Sequence, residues 1–198
     1  MSTAPKPHPD LLVYKEIGPG DMRKLLAESN DADTGGGARD LRLPWKTFRS
    51  VMHRIFTDEA VARGGKKIRT AQVTYKDANG KTSQTTLEYW PATTSRPAED
   101  RVSKVHSNPA LAGGRLPNQD KGRVFLLFIR WSNGEIRTYY AYEDELRTPG
   151  KWAAEVRSAL LTCIADTDNK NSKRAGSLLS VQGYYDFLDG TVHCHANG

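Results

Sequence analysis

Long apolar runs are missing from this sequence. Its longest, Val124 to Ile129, falls far short of the roughly 18 residues a membrane-spanning helix needs, and the mean hydropathy is −0.64. No membrane partner is expected. Cysteine is scarce: Cys163 and Cys194 are too few for a disulfide framework and fit a reducing cytosol. The opening stretch, Met1 to Asp10, has no apolar core of the kind a secretory signal carries, so a cytoplasmic protein is expected. There is no G-x-x-x-x-G-K-[ST], which excludes a P-loop, and no strand-linked G-x-G-x-x-G. A PD-(D/E)xK nuclease wants an acid followed, two residues on, by a lysine. The nearest candidates, Glu135-Ile-Arg137 and Glu145-Leu-Arg147, end in arginine. No catalytic residue, metal or cofactor is therefore assigned.

What is present is enough for one domain. With 198 residues, 37% of them hydrophobic, the chain can bury a core of its own. The layout expected is an extended arm over 1–10, marked by Pro5, Pro7 and Pro9, a single domain over 11–190, and a tail over 191–198. Lys and Arg total 29 against 23 acidic residues, a formal charge of +6. Such a surplus aids solubility, and it attracts polyanions, of which nucleic acid is the commonest in a cytosol.

Periodicity places the elements. Residues 11–17 read as a strand and 19–28 as a short helix with Met22, Leu25 and Leu26 at helical spacing. Residues 29–38, with three successive glycines, read as a loop, and 40–43 alternate. A helix over 44–56 carries the apolar stripe Trp45, Phe48, Val51, Met52, Ile55 and Phe56, with Lys46, Arg49, Ser50 and His53 opposite. Strands follow at about 70–76 and 83–90, at 124–131, and, after the hairpin signal Asn133-Gly134, at 136–142. A third helix is expected over 152–164, and the segment 178–188 is ambiguous between strand and helix. Hairpins rather than β-α-β units argue for an α+β fold: a mainly antiparallel, barrel-like sheet with about three flanking helices.

Two loops carry the recognition chemistry. In Thr34-Gly-Gly-Gly-Ala-Arg-Asp-Leu-Arg42, the glycines Gly35, Gly36 and Gly37 let backbone amides approach a ligand. Arg39 and Arg42 supply guanidinium forks that suit phosphate or the acceptor edge of guanine. In the second loop, 93–106, Arg96, Arg101, Lys104 and His106 lie among small hydroxyl residues, a good arm along a phosphate backbone. Lys46 and Arg49 on the helix face extend the first loop as phosphate contacts. Solvated connections, with Arg39 paired to Asp40 and with Glu99 and Asp100 cancelling cations, are the plainer alternative.

Ser29-Asn30-Asp31, Thr34-Gly35-Gly36 and the alternation ending at Pro44 resemble the N-terminal, B3-like DNA-binding domain of EcoRII-type restriction endonucleases. The stretch Ser95-Arg-Pro-Ala-Glu-Asp-Arg101 is similar to that family's second arm. The resemblance implies a pseudobarrel gripping the major groove with two arms. Thr34, Gly35 and Gly36 would belong to the first arm, and Arg96, Glu99 and Arg101 to the second. The family's His-Gln pair is replaced here by Gly37-Ala38-Arg39. Duplex DNA is the expected partner, with a separate nuclease or antiviral-defence subunit beside it.

Two other functions fit the residues. One is a small nuclease or toxin in which His53 or His106 exchanges protons while Arg39 or Arg96 stabilises charge. The other is a sensor that holds a phosphorylated nucleotide in the Thr34–Arg42 loop. His193-Cys194-His195 could place two imidazoles on one side of a strand, but structural zinc normally takes four ligands. It is read as an incidental part of the tail.

Overall fold

The computed structural model describes residues 6–26, 39–77, 79–92, 99–112, 116–176 and 178–197, without the side chains of 44–47, 99 and 196–197. Among these residues ten strands form one sheet in the order β10-β9-β1-β7-β8-β4-β5-β6-β2, with β3 paired to β4. The strands are β1 (Pro9–Glu16), β2 (Leu41–Pro44), β3 (Asp58–Ala62), β4 (Lys66–Lys76), β5 (Thr82–Trp90) and β6 (Glu99–Ser103). They continue with β7 (Val124–Trp131), β8 (Ile136–Tyr142), β9 (Ser180–Asp186) and β10 (Thr191–Asn197). The helices are α1 (Pro19–Leu25), α2 (Trp45–Ile55), α3 (Glu143–Arg147) and α4 (Ala154–Ser172).

Two antiparallel halves meet where β8 runs parallel to β4, through Val73 opposite Ile136 and Thr74 opposite Arg137. The sheet curls there into a half-barrel. Its inner surface is one core, shared by Leu11 and Val13 of β1, Leu126 and Phe128 of β7, Val73 of β4, Leu87 and Tyr89 of β5, and Val102 of β6. Into that core α2 inserts Phe48, Val51, Met52 and Ile55, followed by Phe56, at the i, i+3, i+4, i+7 spacing of one helical face. The expected core role of Trp45 lies outside the described side chains.

The outer surface of β1 and β7 is covered by α4. Val156, Ala159, Leu160, Cys163 and Ile164 pack on Leu12, Tyr14, Phe125 and Leu127. Strands β1 and β7 are thus buried on both faces, which is why residues 11–14 and 124–129 are consecutive apolar residues without alternation. The tyrosines of β8 divide accordingly: Tyr140 and Tyr142 pack toward the inner core, Tyr139 toward α4 and edge-on to Trp152.

Several expectations are corrected. Pro9 and Asp10 belong to β1 rather than to an arm. The segment left ambiguous is strand β9, and the expected tail is β10, which pairs with β9 from Thr191 to Asn197. The third helix continues to Ser172, and β3, β6 and α3 were not foreseen. Cys163 on α4 and Cys194 on β10 form a disulfide, so the cysteine content no longer argues for a reducing cytosol. The count of cysteines carried no information on distance: packing of α4 against β10 brings together two residues 31 apart. Among the described residues no helix is long and apolar enough to cross a membrane.

Candidate nucleic-acid interface

Strand β2 ends the sheet order, and its four residues alternate cleanly. Leu41 and Leu43 point into the core, and Arg42 points to solvent. Arg42 lies directly opposite Arg101 on β6, and Arg101 lies opposite Trp90 on β5. Directly opposite residues share a face, so two guanidiniums and an indole form one row across β2, β6 and β5. The Arg101 guanidinium carbon sits 5.3 Å from the Trp90 ring centroid, a cation–π contact. Its Nε is 3.4 Å from Asp40 Oδ2, and Ser103 Oγ donates to Asp40 Oδ1 at 2.8 Å. Arg101 is therefore held in place before any ligand arrives.

Around this row lie the other cations expected to act. Lys104 Nζ pairs with Glu88 Oε1 at 2.7 Å, and the Trp90 indole N–H donates to Glu88 Oε2 at 3.1 Å. Lys104 has a left-handed backbone (φ 55°, ψ 35°), a conformation that costs a non-glycine residue about 1–3 kcal/mol and clusters at functional positions. Arg39 is exposed, and its carbonyl accepts from the Val105 N–H at 3.1 Å, which sets it beside the short 3-10 turn that carries His106. Burial, and next the Arg39 charge, hold the His106 imidazole below its ordinary pKa.

Arg49 has a different position from the one expected. Its Nε and Nη2 donate to the two oxygens of Asp100 at 3.2 and 2.9 Å, and Asp100 is fully buried on the inner face of β6. The same carboxylate accepts from the Tyr89 hydroxyl and from the Ala92 N–H at 2.6 Å. The reading of Asp100 as a solvated counter-charge is thus corrected, because strand alternation turns it inward while Arg101 turns out. The Asp100 hydrogen bond, foremost, raises the Arg49 pKa, and burial raises that of Tyr89.

Behind Arg49 a cleft of about 360 Å³ opens between α2 and the β3–β4 hairpin, reaching Pro91. His53 lines it, edge-on to Tyr89 with ring centroids 6.0 Å apart. Its buried Nε2 finds no hydrogen-bond partner among the described residues. Desolvation chiefly, then Arg69 and Arg49, lower its pKa. His53 and His106 have different neighbours, and among the described residues no contact joins them.

Of the expected contact residues, the structure brings Arg42, Arg101, Lys104, Arg39 and His106 to the β2–β6–β5 edge. It assigns Arg49 to Asp100. Thr34, Gly35, Gly36, Gly37 and Arg96 lie outside the described residues, as do the side chains of Lys46 and Glu99. The segments 27–38 and 93–98 lead into β2 and β6, whose antiparallel register sets Leu41 beside Val102 and Pro44 beside Glu99. The second loop is not wholly a loop, since Glu99–Ser103 is strand and Val105–Ser107 a 3-10 turn. The sequence reading missed Trp90 as part of the site and missed the Asp100 hub. The alternation Asp100, Arg101, Val102, Ser103 was the available signal for Asp100, and Leu87, Glu88, Tyr89, Trp90 for Trp90.

His193 stacks on Tyr184 with centroids 4.2 Å apart, and His195 meets Phe48 edge-on. Among the described residues no group of three or more His, Cys, Asp or Glu side chains is placed to hold a metal ion. Compared with known protein families, with curated proteins and with solved structures, the chain finds no match in any of the three.

Proposed function

We propose that this chain is a DNA-recognition domain of restriction or defence type, acting in the cytoplasm beside a separate nuclease subunit. The observation that carries the reading is the Arg42–Arg101–Trp90 row on the solvent face of β2, β6 and β5. Guanidiniums match phosphates and the guanine edge, and Trp90 and Asp40 restrain Arg101 so that little freedom is lost on binding. Lys104 and Arg39 flank the row and supply phosphate contacts. The segments 27–38 and 93–98 adjoin it, where the resemblance to the EcoRII-type domain puts its two arms.

The test is duplex binding followed by fluorescence anisotropy between 50 and 200 mM salt. Steeply salt-dependent binding is expected, because each neutralised phosphate releases counterions. Arg101→Ala should relax base preference by about 1–3 kcal/mol at one position. Lys104→Ala should weaken all sequences alike and lower the salt slope by about one. Absence of duplex binding at low salt, or binding indifferent to both Arg42→Ala and Arg101→Ala, overturns the reading.

A further inference from the structure

The cleft between α2 and the β3–β4 hairpin combines two kinds of surface. Its charged lining is Arg49 and His53 from α2, Lys67 and Arg69 from β4, and Glu59 from β3. Its apolar lining is Ala60, Val61, Ile68 and Pro91, with Val61 directly opposite Lys67. Its volume, about 360 Å³, lies at the lower end of the range for small-ligand pockets, roughly 300–1,000 Å³.

The cations differ in what already holds them. Arg69 donates to Glu59 at 2.9 Å and to the carbonyls of Phe56 and Thr57 at 3.3 Å, so it braces the hairpin against the end of α2. Arg49 is fixed on Asp100. Lys67 is exposed, with no ionic partner among the described residues. Around His53 stand Arg49 on its own helix, Arg69 on β4, Glu59 on β3, Asp100 on β6 and the Tyr89 ring on β5. Three cations against two carboxylates leave the cleft one net positive charge while His53 is neutral. The His53 Nε2 is buried without a hydrogen-bond partner among the described residues, a cost that an acceptor reaching it from the cleft would relieve.

We propose that this cleft binds a nucleoside 5′-phosphate, its phosphate on Lys67, Arg49 and His53 and its base or sugar ring on Val61, Ile68 and Pro91. A phosphomonoester carries close to two charges above its second pKa of about 6. It supplies the acceptor that His53 lacks, and its arrival favours the imidazolium, so the cleft gains its second positive charge with the ligand. The nucleotide is either free or the phosphorylated 5′ end of a strand, since both present the same group. The proposal does not depend on duplex recognition by the Arg42–Arg101–Trp90 row, whose residues lie on the other face of the sheet.

The experiment is calorimetric titration of the whole chain with the four deoxynucleoside 5′-monophosphates, the matching deoxynucleosides and inorganic phosphate, at pH 8.0 and 6.5. Monophosphates should bind at least about tenfold more tightly than nucleosides, as expected when one charged hydrogen bond is gained, and about tenfold more tightly than phosphate, as expected when a ring is buried. Binding should be several-fold tighter at pH 6.5. Lys67→Glu, at an exposed position that leaves the fold intact, should weaken it about tenfold or more. His53→Gln should abolish the tightening at pH 6.5. Comparing an octamer with and without a 5′-phosphate then tells a strand end from a free nucleotide. Equal binding of nucleosides, equal binding of phosphate alone, indifference to Lys67→Glu, or no binding of any monophosphate each overturns the proposal. Monophosphate binding without duplex binding would sink the recognition reading and leave this one standing, and the converse holds.

Discussion

Arg49 on α2 and Asp100 on β6, 51 residues apart, meet in a two-point contact in which the carboxylate is wholly buried. The contact ties the helix filling the half-barrel to the strand beside its open edge. It also holds Arg49 where it lines the His53 cleft.

Removing the arginine leaves a buried carboxylate that, among the described residues, only the Tyr89 hydroxyl and the Ala92 N–H still hold. Arg49→Ala should cost about 3 kcal/mol, the low end for breaking a buried pair, because the Arg49 side chain is 35% exposed. Chemical denaturation measures it. Adding Asp100→Asn should recover part of the loss, since the stranded charge disappears.

Gly183 on β9 faces α4 where the Tyr14 ring crosses it. A methyl group there would run into the Tyr14 hydroxyl and the His193 carbonyl oxygen. Gly183→Ala should destabilise by about 1–3 kcal/mol, as overpacking of a closed core does. A thermal midpoint equal to that of the parent chain would contradict this packing.

The Cys163–Cys194 bridge joins α4 to the last strand across 31 residues. Closing a loop of that length restricts the unfolded chain by about 3–4 kcal/mol. Dithiothreitol should therefore lower the thermal midpoint by roughly 10 °C. The double variant Cys163→Ala/Cys194→Ala should melt at the reduced value and ignore the reductant.

Stability should fall in two stages on acidification. Burial first, then neighbouring arginines, hold His53 and His106 below their ordinary pKa. The unfolded chain therefore takes up these protons first, and stability declines once the pH drops below about 6.5. The hydrogen bonds from Arg54 and Arg137 hold Asp186 and Glu135 below the ordinary carboxylate range. Their contribution is complete above about pH 4 and is lost as pH falls through the lowered folded values. In melts from pH 8 to 3, His106→Gln should flatten the first decline and Asp186→Asn the second.

What the sequence determined alone is local. The apolar stripe of α2, the unbroken run of β7 and the Asn133-Gly134 hairpin each follow from spacing within a dozen residues, and each stands where spacing puts it. So does the alternation that sends Arg42 out and Leu41 and Leu43 in. The tertiary structure decided which distant residues became neighbours. It paired Arg101 with Arg42 and Trp90, sent Arg49 to Asp100 rather than to solvent, made a strand of 191–197, and joined Cys163 to Cys194. The reason is physical: periodicity records the face a side chain takes, whereas its partner depends on how the whole sheet curls around α2.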